Sequence, residues 1–162
     1  MNKLLKKMMV ALLSLGLAQV VWADDTLDFK EALQIAEQGS AKAQNDLGVM
    51  YANGQGVRQD PVQAAQWFRK AAEQGDATAQ IGLGVMYYEG EGVRQDYAQA
   101  VQWYRRAAEQ GKAEAQNNLG EMYYKGHGVR QDLALAQEWL GKACQNGYQK
   151  GCDNYRRLKL GY

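Results

Sequence analysis

The sequence has few of the side chains on which catalysis and metal binding depend: among 162 residues there are one histidine and two cysteines. After residue 23 it has one serine, Ser40, and two threonines, Thr26 and Thr78. A Ser–His–Asp triad or a histidine-based metal site cannot be assembled from this set. We therefore expect no catalytic residue, no metal and no cofactor. Carboxylate chemistry is the one enzymatic alternative that the composition leaves open.

The sequence also lacks a strong excess of charge of either sign, with 19 lysines and arginines against 18 acidic residues. Three of the lysines, Lys3, Lys6 and Lys7, stand at the extreme N-terminus, and without them the count is 16 against 18, a net charge of about −2. Proteins that hold a phosphate backbone need a basic surface. Nucleic acid is therefore not an expected partner.

The N-terminal segment, residues 1–23, has the three parts of a secretory signal peptide. The lysines are followed by an apolar run from Met8 to Ala18 and by the small-residue site Val21-Trp22-Ala23. The run is short for a membrane-spanning helix, so we predict cleavage after Ala23 and a periplasmic or secreted protein without stable membrane insertion. A permanent N-terminal anchor is the alternative.

One string recurs from Ala41, Ala77 and Ala113, which sets a period of 36 residues. Self-similarity at a fixed period predicts a solenoid of stacked repeats. The flanking segments match half a repeat, and charged residues replace apolar ones there, as expected of the ends of a solenoid. The predicted units are an N-terminal capping helix (24–40), three full repeats (41–76, 77–112 and 113–148) and a C-terminal capping helix (149–162).

Each repeat is predicted to contain two helices, which we call helix A and helix B. In the middle copy, Leu83 and Met86 belong to an apolar set at helical spacing and mark helix A. The glycine-rich segment 89–95 ends it. Asp96 is placed to cap helix B, which ends at Gly111.

The string A-x-A-Q-x-x-L-G-x-M-Y, the G-x-G-V loop and the D-x-x-x-A-x-x-W segment resemble the Sel-1-like repeat family, relatives of the tetratricopeptide repeats. A plain tetratricopeptide repeat has 34 residues, and the longer period here favours the Sel-1-like assignment. The resemblance implies an all-α, right-handed α-solenoid that works as a scaffold or adaptor. The implied partner is a protein or peptide in the cell envelope or outside the cell, bound by a monomer.

A secreted, cysteine-rich branch of that family is similar to this sequence, and some of its members have been described as penicillin-binding or weakly β-lactam-hydrolysing. The S-x-x-K, S-D-N and K-T-G signatures of serine β-lactamases are absent here, since Ala43 occupies the lysine position after Ser40. Penicillin binding or weak β-lactam hydrolysis is the alternative that the resemblance to this branch implies. A structural spacer or a host-directed effector is the other alternative.

Two cysteines lie on either side of the last helix–helix turn. Cys144 stands near the end of helix B of the third repeat, and Cys152 stands at the start of the next helix. A turn of this length can bring the two Cβ atoms within bonding range, and an exported protein favours a disulfide between them. A reactive thiol would need a C-x-x-C motif or a neighbouring basic group, and neither is evident.

The positions of helix A that differ most between copies share one helical face. Because packing does not dictate these residues, we expect them on the exposed concave surface, where a partner would bind. The predicted apolar and aromatic anchors are Ile81, Val85, Tyr88 and Tyr124. The predicted hydrogen-bonding residues are Asn45, Asn117, Asn118 and Glu121. Ordinary surface residues are the alternative interpretation.

Three further sets of residues have mainly structural interpretations. Trp67, Trp103 and Trp139 are predicted to be core residues. The repeated Arg58, Arg94 and Arg130 are predicted to close the loop between helices A and B, although a row of arginines can also bind an anionic ligand. His127 replaces Gln55 and Glu91 in this loop and is predicted to be a tolerated loop residue rather than a general base.

Overall fold

The computed structural model describes residues 28–161, and within that range every regular element is an α-helix. The predicted signal peptide, residues 1–23, lies outside the described residues. The helices are α1 (Phe29–Glu37), α2 (Ala41–Asn53), α3 (Pro61–Glu73), α4 (Ala77–Glu89), α5 (Tyr97–Glu109), α6 (Ala113–Lys125), α7 (Leu133–Gln145) and α8 (Gln149–Leu160). Each packs mainly on its neighbours along the chain, as in a solenoid. The predicted all-α solenoid is confirmed.

Helices α2, α4 and α6 are the A helices of the repeats, and α3, α5 and α7 are the B helices. Where the two cross within a repeat, a glycine of helix A lies against a large side chain of helix B. A Cβ on Gly84 would lie 2.6 Å from the ring of Tyr104, and a Cβ on Gly120 would lie 2.7 Å from Leu140. The glycine thus allows close packing, which offsets its low helix propensity.

The loop between helices A and B is built around two glycines with positive φ. Gly90 (φ 75°) ends α4, and its N–H donates to the carbonyl of Met86. A Cβ on the second glycine, Gly92 (φ 68°), would collide with the carbonyl of Pro61 at the start of α3. The loop of one repeat therefore rests on the first turn of helix B in the preceding repeat, and only glycine fits at that contact.

Glutamines close these loops, contrary to the prediction that the arginines do so. The Nε2 of Gln95 donates to the carbonyl of Tyr88 at 2.8 Å, and Gln59 and Gln131 repeat this contact in the other copies. Within residues 28–161 the side chains of the three loop arginines form no hydrogen bond or ion pair. Asp96 caps α5 as predicted, accepting from the N–H of Gln99 at 3.0 Å.

A buried glutamine joins each helix A to the helix before it. The Nε2 of Gln80 donates to the carbonyl of Ala72 in α3 at 3.1 Å, and its Oε1 accepts from Gln110 at 2.9 Å. Gln44 makes the same bond to Ala36 of α1, and Gln116 makes it to Ala108 of α5. At the last junction Cys152 takes the glutamine position, and its disulfide to Cys144 replaces this hydrogen bond.

The two ends of the described solenoid differ in how they are held. Helix α1 buries Ala32 and Ala36 in a cluster with Leu47 and Trp67. Helix α8 buries only Gly151. Trp67 and Trp103 are core residues as predicted, while Trp139 is half-buried. Because α8 has so little apolar burial, its position depends on the disulfide and on polar contacts.

Candidate functional site

Four of the eight predicted binding residues line one groove of about 270 Å³. Val85 and Tyr88 reach it from α4, and Asn118 and Glu121 reach it from α6. We call this surface the α4–α6 groove. The rest of the lining consists of Glu89, Tyr104, Glu114, Met122, Lys125, Tyr148 and Lys150. The first turn of α8 supplies the last of these, so the C-terminal helix forms one wall of the groove.

Two other predicted anchors stand outside the groove. Ile81 is half-buried and packs on the cluster formed by Val101, Tyr104 and Leu119. Tyr124 is 42% exposed but does not line the α4–α6 groove. The structure therefore brings together half of the predicted binding set and separates these two residues from it.

The prediction that Asn45 and Asn117 are exposed is wrong. Asn45 is 9% exposed, and Asn117 is fully buried. Asn117 accepts a hydrogen bond from Asn154 of α8 at 2.9 Å and donates to Glu121 at 2.9 Å. Its position on helix A faces the next helix A in the stack, so it varies between copies because its neighbour varies and not because solvent covers it.

A polar cluster surrounds the carboxylate of Glu121. Lys150 lies 3.0 Å and Lys125 lies 3.7 Å from its oxygens, and Asn154 donates to it at 3.0 Å. Burial disfavours its charge, but the hydrogen bonds from Lys150 and Asn117 and the two lysine charges outweigh burial and lower the pKa of Glu121. The hydrogen bond between Lys150 and Glu121 also raises the pKa of Lys150. Glu121 is therefore a charged, fully engaged group.

The base of the groove is aromatic. Tyr104 is buried to 4% exposure and belongs to the core, yet it lines the groove together with the half-buried Tyr88 and Tyr148. Burial, with the nearby carboxylate of Glu89 next, raises the pKa of the Tyr104 hydroxyl. The hydroxyl thus stays protonated and can act as donor or acceptor.

Tyr88 is held in place by two side chains that the sequence did not connect with it. Its ring lies 5.2 Å from Tyr97 and 6.2 Å from His127, between centroids. His127 stacks on Tyr97 at 4.6 Å with an interplanar angle of 13°. The histidine therefore packs the loop of the third repeat on the second repeat, a structural contact consistent with its predicted role as a loop residue.

Seven residues that line the groove were not predicted to bind: Glu89, Tyr104, Glu114, Met122, Lys125, Tyr148 and Lys150. Tyr104 is a buried residue of helix B, and Tyr148 and Lys150 lie where α8 begins. The available signal was the alignment of Lys150 with Thr78 and Glu114, both of which stand on the variable face of helix A. Within residues 28–161 no group of three or more metal-ligating side chains is placed to hold an ion.

The disulfide between Cys144 and Cys152 joins the last turn of α7 to the first turn of α8, with Cα atoms 4.4 Å apart. It is present as predicted, and the described residues contain no free cysteine. Among residues 28–161 no helix combines the length and apolar character needed to cross a membrane.

Sequence comparisons identify the repeat. The Sel1 repeat profile matches residues 41–76, 77–112 and 113–148. The secretory immunoglobulin A-binding protein EsiB of Escherichia coli O6:H1 is 42% identical over 69 residues. That alignment covers 41% of this chain and 14% of EsiB.

Solved structures show the same architecture. The c5321 protein, a protective antigen of uropathogenic Escherichia coli with an SLR fold, is 47% identical at a TM-score of 0.75, over 78% of this chain and 27% of that one. A Sel1 repeat protein of Oxalobacter formigenes is 34% identical at a TM-score of 0.72, over 78% and 55%. Cysteine-rich protein B of Helicobacter pylori, 24% identical at a TM-score of 0.64 over 78% and 93%, shares the fold.

The chain therefore spans about a quarter to a half of the first two of these structures and a smaller part of EsiB. The repeats themselves are matched in full, because the three profile matches follow one another without a gap from 41 to 148. The chain belongs to the Sel1 repeat family.

Proposed function

We propose that the protein is an exported, non-enzymatic module that binds another protein or a peptide through the α4–α6 groove. The observation that carries the proposal is the composition of this groove, whose lining combines apolar and aromatic side chains with charged and amide groups. Surfaces of this kind supply the anchor and the polar rim of a protein interface.

Family membership supports a protein partner, because Sel1 repeat proteins mediate protein–protein interactions. One relative, EsiB, is named for binding secretory immunoglobulin A. The two proteins share only a short segment, so this name supports the class of partner and not its identity.

The disulfide supports export. Disulfides persist in oxidising compartments and are rare in the reducing cytosol. The predicted signal peptide agrees with it, and the proposal places the monomeric module in the periplasm or outside the cell. The mass of the purified extracytoplasmic protein tests the predicted cleavage. A protein cleaved after Ala23 lacks residues 1–23, whereas a protein with a retained N-terminal anchor still contains them.

A crosslinking pull-down from the periplasmic fraction tests the groove. The test variant carries Val85→Ser and Tyr88→Ala, which remove the exposed Val85 side chain and the half-buried Tyr88 ring from the lining of the groove. The control variant carries Val62→Ser and Leu133→Ala, because these residues are more exposed (53% and 51%) and do not line the groove. Circular dichroism confirms that both variants fold.

The proposal predicts a protein that is captured by the wild type and by the control variant and is lost from the groove variant. Capture that is equal for all three forms, or lost only from the control variant, contradicts binding through the groove. Absence of any specific protein contradicts the interaction function.

A further inference from the structure

Some of the charged side chains around the α4–α6 groove form ion pairs and others do not. Its two lysines, Lys125 and Lys150, both pair with Glu121. The other two acidic residues, Glu89 and Glu114, are exposed, and neither forms an ion pair within residues 28–161. Glu89 and Glu114 are therefore the carboxylates of this surface without an ion pair, and the charge of Glu114 acts on Lys150 from a longer distance.

The carboxylates of Glu89 and Glu114 both affect the hydroxyl of Tyr104. Glu89 and Glu114 each contribute, after burial, to raising the pKa of the Tyr104 hydroxyl. Glu89 is also the last residue of α4, where the partial negative charge of the helix C-terminus adds to its own. A cation that enters beside Glu89 and Glu114 therefore meets two carboxylates, while Lys125 and Lys150 are paired with Glu121.

Two lysines of this protein form cation–π contacts with tryptophan rings. The Nζ of Lys70 lies 3.9 Å from the ring centroid of Trp67, and that of Lys142 lies 4.3 Å from Trp139. A lysine or arginine stem packs on a ring while the charge stays near acceptors. Tyr88 and Tyr148 are aromatic residues that line the same groove as Glu89 and Glu114.

Resting on the proposed function, we infer that the α4–α6 groove takes a partner segment through a lysine or arginine side chain, with its stem on the tyrosines and its charge facing Glu89 or Glu114. An anionic side chain is less favoured than a cationic one. It would face the carboxylates of Glu89 and Glu114, and it would have to share Lys125 and Lys150 with Glu121.

Selection of phage-displayed random peptides on the immobilised full protein provides the test without a known partner. Enriched peptides are synthesised, and their affinity is measured for the wild type, for Tyr88→Ala and for the double variant Glu89→Gln, Glu114→Gln. A second double variant, Glu73→Gln with Glu109→Gln, is the charge control, since these glutamates are exposed at the ends of α3 and α5 and do not line the groove.

The inference predicts that enriched peptides share a lysine or arginine. Replacing this residue with methionine, or using the groove double variant, should weaken binding about tenfold, the effect of roughly 1.4 kcal/mol. The charge control should bind like the wild type, and raised salt should weaken binding to the wild type.

The failures are distinguishable. Peptides that bind the wild type, are lost with Tyr88→Ala, and tolerate both the methionine change and the groove double variant overturn the cation inference and leave the proposed function standing. Peptides that bind all variants equally, or a selection that enriches nothing, overturn both.

Discussion

Replacing Cys144 and Cys152 with alanine should loosen the C-terminal helix before it affects the rest of the solenoid. The cysteines are eight positions apart, and closing a loop of that length is worth about 2–3 kcal/mol in the chain-entropy description. Helix α8 buries only one residue, so little apolar packing compensates for the loss. We expect the free energy of unfolding to fall by roughly this amount.

The structure also supplies a variant that should recover part of this loss. Cys144 stands at the position of Ala108, and Cys152 stands at the position of Gln116, whose Nε2 donates to the carbonyl of Ala108 at 3.1 Å. The variant Cys144→Ala, Cys152→Gln therefore restores the hydrogen bond that joins the other junctions. A buried hydrogen bond of this kind contributes about 1 kcal/mol, so this variant should be more stable than the double alanine.

Urea denaturation followed by circular dichroism measures the two differences, and hydrogen exchange of the α8 amides locates them. The double alanine variant should exchange faster in α8, with α2 to α5 unchanged. An unchanged urea midpoint together with unchanged exchange in α8 would refute the view that the cross-link holds this helix. A glutamine variant no more stable than the double alanine would refute the equivalence of the disulfide and the hydrogen bond.

Three further predictions concern the fold and the groove. Gly128→Ala places a Cβ against the backbone at the start of α5 at positive φ, and it should lower the free energy of unfolding by roughly 2–4 kcal/mol. Gly111→Ala also has positive φ but nothing within 4 Å, and it should lower it by about 1 kcal/mol. Thermal unfolding compares the two variants. Gln80→Leu removes two hydrogen bonds, one to the Ala72 carbonyl, which keeps the N–H of Gly75, and one from Gln110. It should cost about 1 kcal/mol, against less than about 0.5 kcal/mol for the exposed Gln102→Leu. Since the pKa of Glu121 is lowered in the folded state, its contribution is present above the unfolded pKa and is lost as pH falls through the folded pKa. Glu121→Gln should therefore cost about 1–2 kcal/mol at pH 7 and flatten the loss of stability in acid; a variant as acid-sensitive as the wild type would contradict this.

The fold was predictable because every repeat contains the short-range sequence signals that begin and end its helices. Gly90 and Gly92 require positive φ, and Asp96 is followed by a helix whose first N–H groups it caps. These signals act within a few residues, and three copies repeat them. Gly84 was also interpretable, because a glycine inside a helix indicates close packing of a neighbour.

The groove was predictable only in part, because its geometry depends on contacts between repeats. Variation between copies indicated exposure for Asn118, and the same reasoning failed for Asn117, which varies because it faces Asn154 of α8. No periodicity reveals such a pairing across 37 positions. Lys150 was missed for the same reason, since α8 was predicted to act only as a cap.

Site-specific photocrosslinking tests the central claim most directly. A photoreactive benzoylphenylalanine replaces Asn118 in the groove or, in a matched protein, Val62 on the exposed start of α3. Both proteins are expressed in the producing cell and irradiated. Binding through the α4–α6 groove predicts a discrete protein adduct from the groove position and none from the α3 position. An adduct from the α3 position alone, or no adduct from either, contradicts it.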